Sequence, residues 1–468
     1  MIDLPGSAVT KPENQEVCND DFVTLEPKSN IYMKVFYRIL LLACLLDVSA
    51  LANAQNPAPA APIKVDSTSL TLDSAEQIFL RNNLLLLAQR YNIDAQKALI
   101  IQAKLWPNPN LAYARGPIFG IHDESSNVVN AGFFNYAENT AAISQLILLA
   151  GKRNKQIRIA EANAKLAEYQ FYDLLRTLKY TLRTDFFNIY YLQRSAKVYN
   201  KEISAMQQVV TAFESQQGKG YIAEKEVVRI KAQLYSLQSE YNDLINQIND
   251  TQSELRLVMQ VKNVYVSPIV DTQKNAALDP AAYSLTTLVD TAFKSRTDLK
   301  IARANTQISK LNYNYQKALA VPDLTASLGY DRLGSYVQNF HSVGVSMDLP
   351  IFNRNQGNIK SAKAMIQVNQ TMEKSVEASV EEQLYRALQK AYDNNKLYKN
   401  IDPKFSGDFD RLLNEVLINY QRRNIGLLDF LDFYDAYKSN TLQINSIQFN
   451  RVSAFEDINF YTGTNFYN

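Results

Sequence analysis

Stretches of 36 residues or more with neither glycine nor proline recur along this chain, and nothing else in the sequence limits the fold as strongly. Between Gly151 and Gly218 the gap is 66 residues; 221–267 gives 47, the interval from Gly357 to Pro403 gives 45, and 427–462 gives 36. Inside a helix a glycine costs about 1 kcal/mol and a proline about 3, so stretches free of both can stay helical throughout. At about 1.5 Å per residue the first would form a rod roughly 100 Å long. Average helices hold about 11 or 12 residues, which speaks against an ordinary globular domain. Apolar and aromatic residues recur at spacings of three and four, as in Leu174, Leu178, Tyr180/Thr181, Phe186/Phe187 and Ile189/Tyr190, between Lys, Arg, Glu and Gln. That pattern suits helices packed along one side and wet along another.

A repeat of about two hundred residues organises these elements. Each half shows a helical pattern ending in a Pro-bearing turn: 70–105 then "WPNPN", and 285–319 then "AVPD". Two alternating strands follow, near 111–116 and 139–148 in the first half and near 324–330 and 341–350 in the second. A Gly/Asn junction then leads into a very long helix, a Gly-containing turn and a further helix. In the second half Val343, Val345, Met347 and Leu349 alternate with Ser342, Gly344, Ser346 and Asp348, and Leu324, Ala326, Leu328 and Tyr330 alternate with Thr325, Ser327 and Gly329. One face apolar and the other small or polar fits a half-buried soluble sheet or a membrane barrel with a wet lumen. Gln145 interrupts the pattern in the first half.

The N-terminus carries an export signal. From Met33, "MKVFYRILLLACLLDVSALANAQ" has Lys34 and Arg38, an apolar run over 39–46, and a small-residue cut at Ala52-Asn53-Ala54. The run is shorter than the ~20 residues of a membrane-spanning helix. Residues 1–32 then read as an upstream extension, 33–54 as a signal peptide and 55–69 as a Pro/Ala-rich linker. Cys44 in "LLAC" leaves lipidation open as an alternative to cleavage after Ala54. Cys18 and Cys44 are the chain's two cysteines, so a chain cut after Ala54 has no disulfide or thiolate site. The remainder holds 45 basic and 40 acidic groups, too even for a dedicated nucleic-acid binder.

Four short strands cannot cross a bilayer alone, because lipid offers no partner to an open sheet edge, and the smallest membrane barrels have about 8 strands. Several chains would have to pool them. Here the sequence resembles the TolC family of outer-membrane efflux proteins, in its heavy-metal efflux branch. The likeness rests on the duplicated order of elements, the junctions "LLAGKRNKQIRIAEA" and "LPIFNRNQGNIKSAKA", and the hairpin tips "GKGYIAEKEVVRIKAQL" and "YQRRNIGLLDFLDFYDAY". It covers roughly 70–464, with a first repeat over 70–267 (tip near 218–224), a linker over 268–284 and a second repeat over 285–464 (tip near 422–429). The resemblance implies a mainly α fold with a small β part. In that family three chains share a 12-stranded barrel that continues as a helical periplasmic tunnel. It further implies a homotrimer in outer-membrane lipid, a periplasmic adaptor and an inner-membrane pump of the RND type.

Gly151, Asn353, Asn355 and Gly357 are the expected strand-to-helix junctions, supplying unusual backbone angles. The tips, Gly218, Gly220, Tyr221, Ile222, Gly426, Leu427 and Leu428, are expected to dock the adaptor; ordinary helical-hairpin turns are the plain alternative. Tyr420, Asp429 and Asp432 match the family's periplasmic gate by spacing, against the simpler reading of a solvated helix face. Loop aromatics Phe119, Phe133, Phe134, Tyr136, Tyr336 and Phe340 could mark a lipid–water boundary or pack on the strands. Only His122 and His341 are present, each near a predicted loop, and "RLGSYVQNF" lacks a phosphate loop's spacing and Lys. No catalytic, cofactor or metal site is expected. The chain reads as an export duct. A protein-secretion duct of the type I class and a soluble periplasmic coiled-coil scaffold stay open. An exposed apolar sheet face would favour a duct, and a face buried on helices the scaffold.

Overall fold

A computed structural model describes residues 66–116, 139–332, 337–402, 404–422 and 424–467. The leader, the upstream extension, the first loop's aromatics, His122, Tyr336 and most of the 55–69 linker lie outside them. In chain order the elements are β1 (Asp66–Thr71), α1 (Leu72–Asn82), α2 (Leu84–Lys104), β2 (Asn110–Arg115), β3 (Asn139–Ile147), α3 (Lys152–Gln217), α4 (Glu224–Met259) and β4 (Val264–Ile269). Then come α5 (Thr272–Ala276), a 3-10 turn (Pro280–Ala282), α6 (Leu285–Ser295), α7 (Thr297–Leu319), β5 (Leu324–Asp331), β6 (Phe340–Met347), α8 (Gln356–Lys399), α9 (Phe405–Gln421) and α10 (Leu427–Thr462).

Glycines bound two of the long helices as the sequence predicts. Helix α3 fills the whole 66-residue gap between Gly151 and Gly218, and α10 fills 427–462. In the second half the helix breaks between Lys399 and Phe405, yet α8 and α9 together span 66 positions, from Gln356 to Gln421, as α3 does unbroken. The two repeats therefore match in length as well as order.

Three expectations need correction. The pattern over 70–105 is not one helix: β1 occupies its start, and Asn83 breaks the rest by capping α2, its Oδ1 accepting the Leu86 N–H at 2.9 Å. Arg296 makes the matching break between α6 and α7. The stretch 221–267 ends its helix at Met259, where Gln260 turns left-handed (φ 53°), and β4 follows. Residues 66–69, read as linker, lie in β1, and 268–284 holds the end of β4, α5 and the 3-10 turn.

Strands β1 and β4 pair in parallel as a separate two-stranded sheet. Gln252 of α4 completes it: its Nε2 donates to Val266 O at 2.6 Å and its Oε1 accepts from Val266 N at 3.0 Å. The other four strands form one antiparallel sheet in the order β2-β3-β5-β6, so β2 and β6 each keep one margin without a strand partner among the described residues. The helices below repeat that order, with α2 beside α3, α3 beside α7, and α7 beside α8. Further along, α4 replaces α2 and α10 replaces α7 as neighbours of α3. The replacements abut end to end. Asn83 at the start of α2 donates to Val258 O near the end of α4 at 2.8 Å, and Ser295 before α7 donates to Thr462 O at the end of α10 at 2.5 Å.

Three apolar clusters hold the helices together. One joins α3, α4, α9 and α10 around Met206, Ile230, Leu237, Phe430 and Tyr434. A second joins α1, α3, α4 and β4 around Phe79, Leu182, Phe186 and Leu255, and a third joins α6, α8 and α10 around Leu288, Leu384 and Phe455.

Candidate functional site: a two-faced sheet and the helical wall beneath it

Register decides which side chains share a face, since successive residues point to opposite sides. Leu111 opposes Ile143, Ile143 opposes Leu328, and Leu328 opposes Val343, so one apolar row crosses all four strands. The same face carries Tyr113, Ala141, Ile147, Leu324, Ala326, Tyr330, Val345 and Met347. Among the described residues no helix covers it: Leu111 is 75% exposed, Leu328 57% and Val343 83%. Gln145 falls on this face, but its amide donates to Pro107 O at 2.9 Å at the strand's helix end. Such a face meets a strongly apolar solvent far more cheaply than water.

The opposite face is built mainly of Ala, Ser, Thr and Gly, with Asn110, Leu146, Asp331 and Phe340 toward its ends. A Cβ on Gly329 would lie 2.6 Å from Ser342 Oγ, and one on Gly344 2.6 Å from Ser327 Oγ. At both glycines an added Cβ would force the facing serine hydroxyl to shift, so the strands pack closely on this face. Aromatics mark both ends of the apolar face. Tyr113 donates to Asn139 at 2.9 Å and Tyr330 to Asn339 at 2.8 Å; at the helix end, Trp106 lies under the Arg153 guanidinium at 4.5 Å and Phe352 is 90% exposed. His341 sits by Tyr330, with ring centroids 5.2 Å apart.

At the first junction Ala150 and Gly151 are both left-handed (φ 54° and 63°). Buried Lys152 then ties the two repeats, bonding Val321 O at 2.6 Å and Asp323 at 2.7 Å, while Asp323 also accepts the Leu149 N–H at 2.9 Å. At the second, Asn355 is left-handed (φ 57°), its N–H donates to Asn353 Oδ1 at 3.0 Å, and its amide donates to Gln316 O at 2.8 Å. Gly357 is not the source of an unusual angle: it lies in the first turn of α8 with no positive φ. Asn355 does that work, as its short amide tolerates the left-handed region.

At the tips Gly220 takes φ 77° and Gly218 stays right-handed. Tyr221 and Leu428 are exposed (71% and 61%), Ile222 and Leu427 half-buried, and Gly426 caps α10. The three gate candidates are not gathered. Tyr420 is buried in the wall, its ring 4.3 Å from Phe430 and 5.7 Å from Phe213. Burial, and secondarily the Glu226 carboxylate, pushes its phenol up. Asp429 and Asp432 stay exposed, and Asp429 accepts the Gly426 N–H at 3.3 Å.

Inside the wall lies a polar group that the sequence reading passed over. Glu202 of α3 is 1% exposed, and its Oε2 has no hydrogen-bond partner among the described residues. Around it, Lys438 of α10 bridges Glu240 of α4 at 3.0 Å and Asp435 at 3.2 Å, and Tyr199 donates to Glu240 at 3.2 Å. Burial pushes the Glu202 carboxyl up to about 8; Lys438 opposes this, and Asp435 and Glu240 add to it. Its folded pKa lies above the unfolded value, so its contribution to stability is full below about pH 4.5 and is lost as pH rises toward 8. Glu202→Gln should therefore match the wild type near pH 4 and exceed it by on the order of 2–4 kcal/mol at pH 8, read by urea unfolding across that range. Equal stabilities at pH 8 would show that Glu202 is not held uncharged. The signal for such groups was a charged residue on an apolar helical stripe. Among the described residues no cluster of His, Cys, Asp and Glu could hold a metal ion.

An apolar-out, small-residue-in sheet with open margins, continued by long helices in the same order, is a fold of the TolC type. No helix of the described residues is long and apolar enough to cross a membrane; the sheet is the candidate. Residues 76–259 match the family described as outer membrane efflux protein. It is similar to the cobalt-zinc-cadmium resistance protein CzcC of Cupriavidus metallidurans, with 23% identity over 294 residues, spanning 63% of this chain and 66% of that relative. Among solved structures it shares its fold with the Campylobacter jejuni CmeC outer membrane channel (TM-score 0.67, 14% identity, 85% of this chain and 86% of that one). CusC (TM-score 0.66, 14% identity, 87% and 96%) and the open state of Neisseria gonorrhoeae MtrE (TM-score 0.63, 16% identity, 88% and 94%) share it too. The family is one of transport ducts, not enzymes.

Proposed function

We propose that the chain is the outer-membrane duct of a tripartite efflux system, in which three copies join β2 of one to β6 of the next. The single observation that carries this reading is the bare apolar face of a sheet whose two margins have no strand partner among the described residues. A soluble scaffold would bury that face on helices, and a lone sheet in lipid would leave backbone groups unsatisfied at several kcal/mol each. The outer helices carry matching apolar edges: α2 exposes Leu84, Leu85 and Ile101, and α8 exposes Met365, Val368 and Met372. Different surfaces at the two margins make a head-to-tail contact, which closes as a ring. An eight-residue strand such as β6 spans roughly 26 Å. Tilted, it crosses about 20 Å, and exposed Leu349 and Ile351 extend the apolar surface toward the ~25 Å of a barrel's band.

The tunnel is passive: no nucleotide site or catalytic group is assigned to it, and an RND-type pump would supply energy through a periplasmic adaptor docked at Tyr221 and Leu428. Asp429 and Asp432, repeated around a threefold axis, would form acidic rings that favour cations; Tyr420 would line the wall behind them. The likeness to CzcC makes cobalt, zinc and cadmium ions the first cargo to test. Cross-linking of the outer-membrane fraction, with heat-modifiable electrophoresis, should give a trimer-sized species that dissociates on boiling. A soluble periplasmic monomer would remove the duct.

A further inference from the structure

One buried arginine of the helical wall has no counter-ion. Arg451 of α10 is 2% exposed, and its guanidinium donates only to neutral oxygens. Nε bonds Asn395 Oδ1 at 2.8 Å, Nη1 bonds Asn275 O at 2.7 Å, and Nη2 bonds Leu278 O at 2.6 Å and Ala276 O at 3.3 Å. Five N–H groups meet four acceptors, which leaves one N–H on Nη1. Buried charges are normally paired. Asp279 acts on Arg451 only from beyond ion-pair distance, and it is itself bonded to Lys399 at 3.3 Å. Burial holds the Arg451 pKa below its ordinary value, against contrary pulls from Tyr398, Tyr191 and Asp279.

Beside Arg451 lies a cavity of about 250 Å³ with no carboxylate among its lining residues. Arg194 and Tyr191 of α3, Tyr398 of α8, and Thr272 and Asn275 of α5 line it with Arg451. Arg194 also lacks an acidic partner among the described residues, and its Nη1 donates to Gln448 Oε1 at 3.0 Å. Tyr191 is buried, and its hydroxyl has no hydrogen-bond partner among the described residues. Asn275 Nδ2 is buried without an acceptor. Thr272 is exposed, so solvent reaches the space.

We propose that this cavity binds the phosphate group of a small oxyanion, inorganic phosphate or a phosphate monoester, as the counter-ion of Arg451. A carboxylate offers two oxygens in one plane. A tetrahedral oxyanion presents oxygens in several directions, and so meets guanidinium groups from α3 and α10 together with hydroxyls from α3, α5 and α8. Arginine suits phosphate oxygens through its planar fork of donors. The bound anion ties the segment after β4 to the wall at the one place where a buried charge is uncompensated. All these groups belong to one chain, so the site stands whether or not three copies share a barrel.

The test is equilibrium dialysis of the full channel against radiolabelled inorganic phosphate, in nonionic detergent at fixed ionic strength. The wild type should show saturable uptake. Arg194→Gln should weaken it about tenfold or more, as expected for a lost charge-assisted bond. Tyr191→Phe, which keeps the packed ring, should weaken it about threefold. Lys363→Gln on α8, outside the cavity, should leave it unchanged. Circular dichroism checks that each variant is folded, and if Arg194→Gln is not, Tyr191→Phe decides. Glycerol 3-phosphate that displaces the label makes a monoester the occupant, and failure to displace leaves free phosphate; either result supports the site. Displacement by acetate at the same concentration shows a carboxylate site and overturns the phosphate one. Absence of saturable uptake, as when an acid of a neighbouring copy already fills the cavity, overturns it too. So does wild-type affinity in a folded Arg194→Gln.

Discussion

Val343→Arg should abolish the heat-modifiable trimer in outer membranes, whereas Ser346→Arg, on the opposite face of the same strand, should leave it assembled. Val343 ends the row Leu111–Ile143–Leu328–Val343 across the middle of the sheet, and it is the most exposed of the row. An arginine facing lipid near the midplane costs about 2–4 kcal/mol, and a threefold ring repeats that cost about three times. Ser346 belongs to the face of Ser327, Ser342 and Gly344, where a charge meets water in the lumen and can alter conduction without blocking assembly. The contrast separates membrane exposure from general damage to the strand, since both variants place the same side chain on β6. If Val343→Arg assembles like the wild type, the apolar face does not meet lipid.

Much of this architecture was legible because it depends on local rules. Gly151 and Gly218 delimit α3, and period-two alternation over 324–330 and 342–349 named both faces of the second hairpin before any register was known. The first-half strands read less cleanly, because Gln145 sits on the apolar face and is excused only by its bond to Pro107 O, a contact 38 residues away in sequence. Strands β1 and β4 were missed for a similar reason. "DSTSLT" is too polar to announce a strand, and β4 owes part of its pairing to the Gln252 amide on a neighbouring helix. The helix breaks at Asn83 and Arg296 carry neither glycine nor proline; they exist because another helix ends there and claims the space. Tyr420 shows the limit of spacing as a guide to sites. Its distance in sequence from Asp429 and Asp432 fitted a gate, while the stack with Phe430 and Phe213 places its ring in the wall.

Arg183→Ala should destabilise the helical wall by about 3–5 kcal/mol, because it strands a buried carboxylate and not because it deletes an attraction. Arg183 of α3 forks onto Glu456 of α10, with Nε and Nη2 each 2.7 Å from a carboxylate oxygen, and its Nη1 reaches Glu76 of α1 at 2.9 Å. Glu456 is buried, and Asn459, at 3.5 Å, is too long a contact to satisfy it alone. Glu76 keeps Lys179 at 2.9 Å, so the loss falls mainly on Glu456. Burial opposes the guanidinium charge, but Glu456 and then Glu76 outweigh it and raise its pKa above the ordinary value. Arg183→Lys keeps the charge without the fork and should fall between wild type and Ala. The double variant Arg183→Met/Glu456→Gln removes both charges and should recover most of the stability lost by Arg183→Ala in urea unfolding. Should the double variant be as unstable as Arg183→Ala, packing of the arginine stem and not an orphaned charge sets the cost. The position of the pair gives the result its meaning for the tunnel. Arg183 and Glu456 meet where α10 is about to hand its place beside α3 to α7, so the same bonds that satisfy the charges hold shut a seam in the wall.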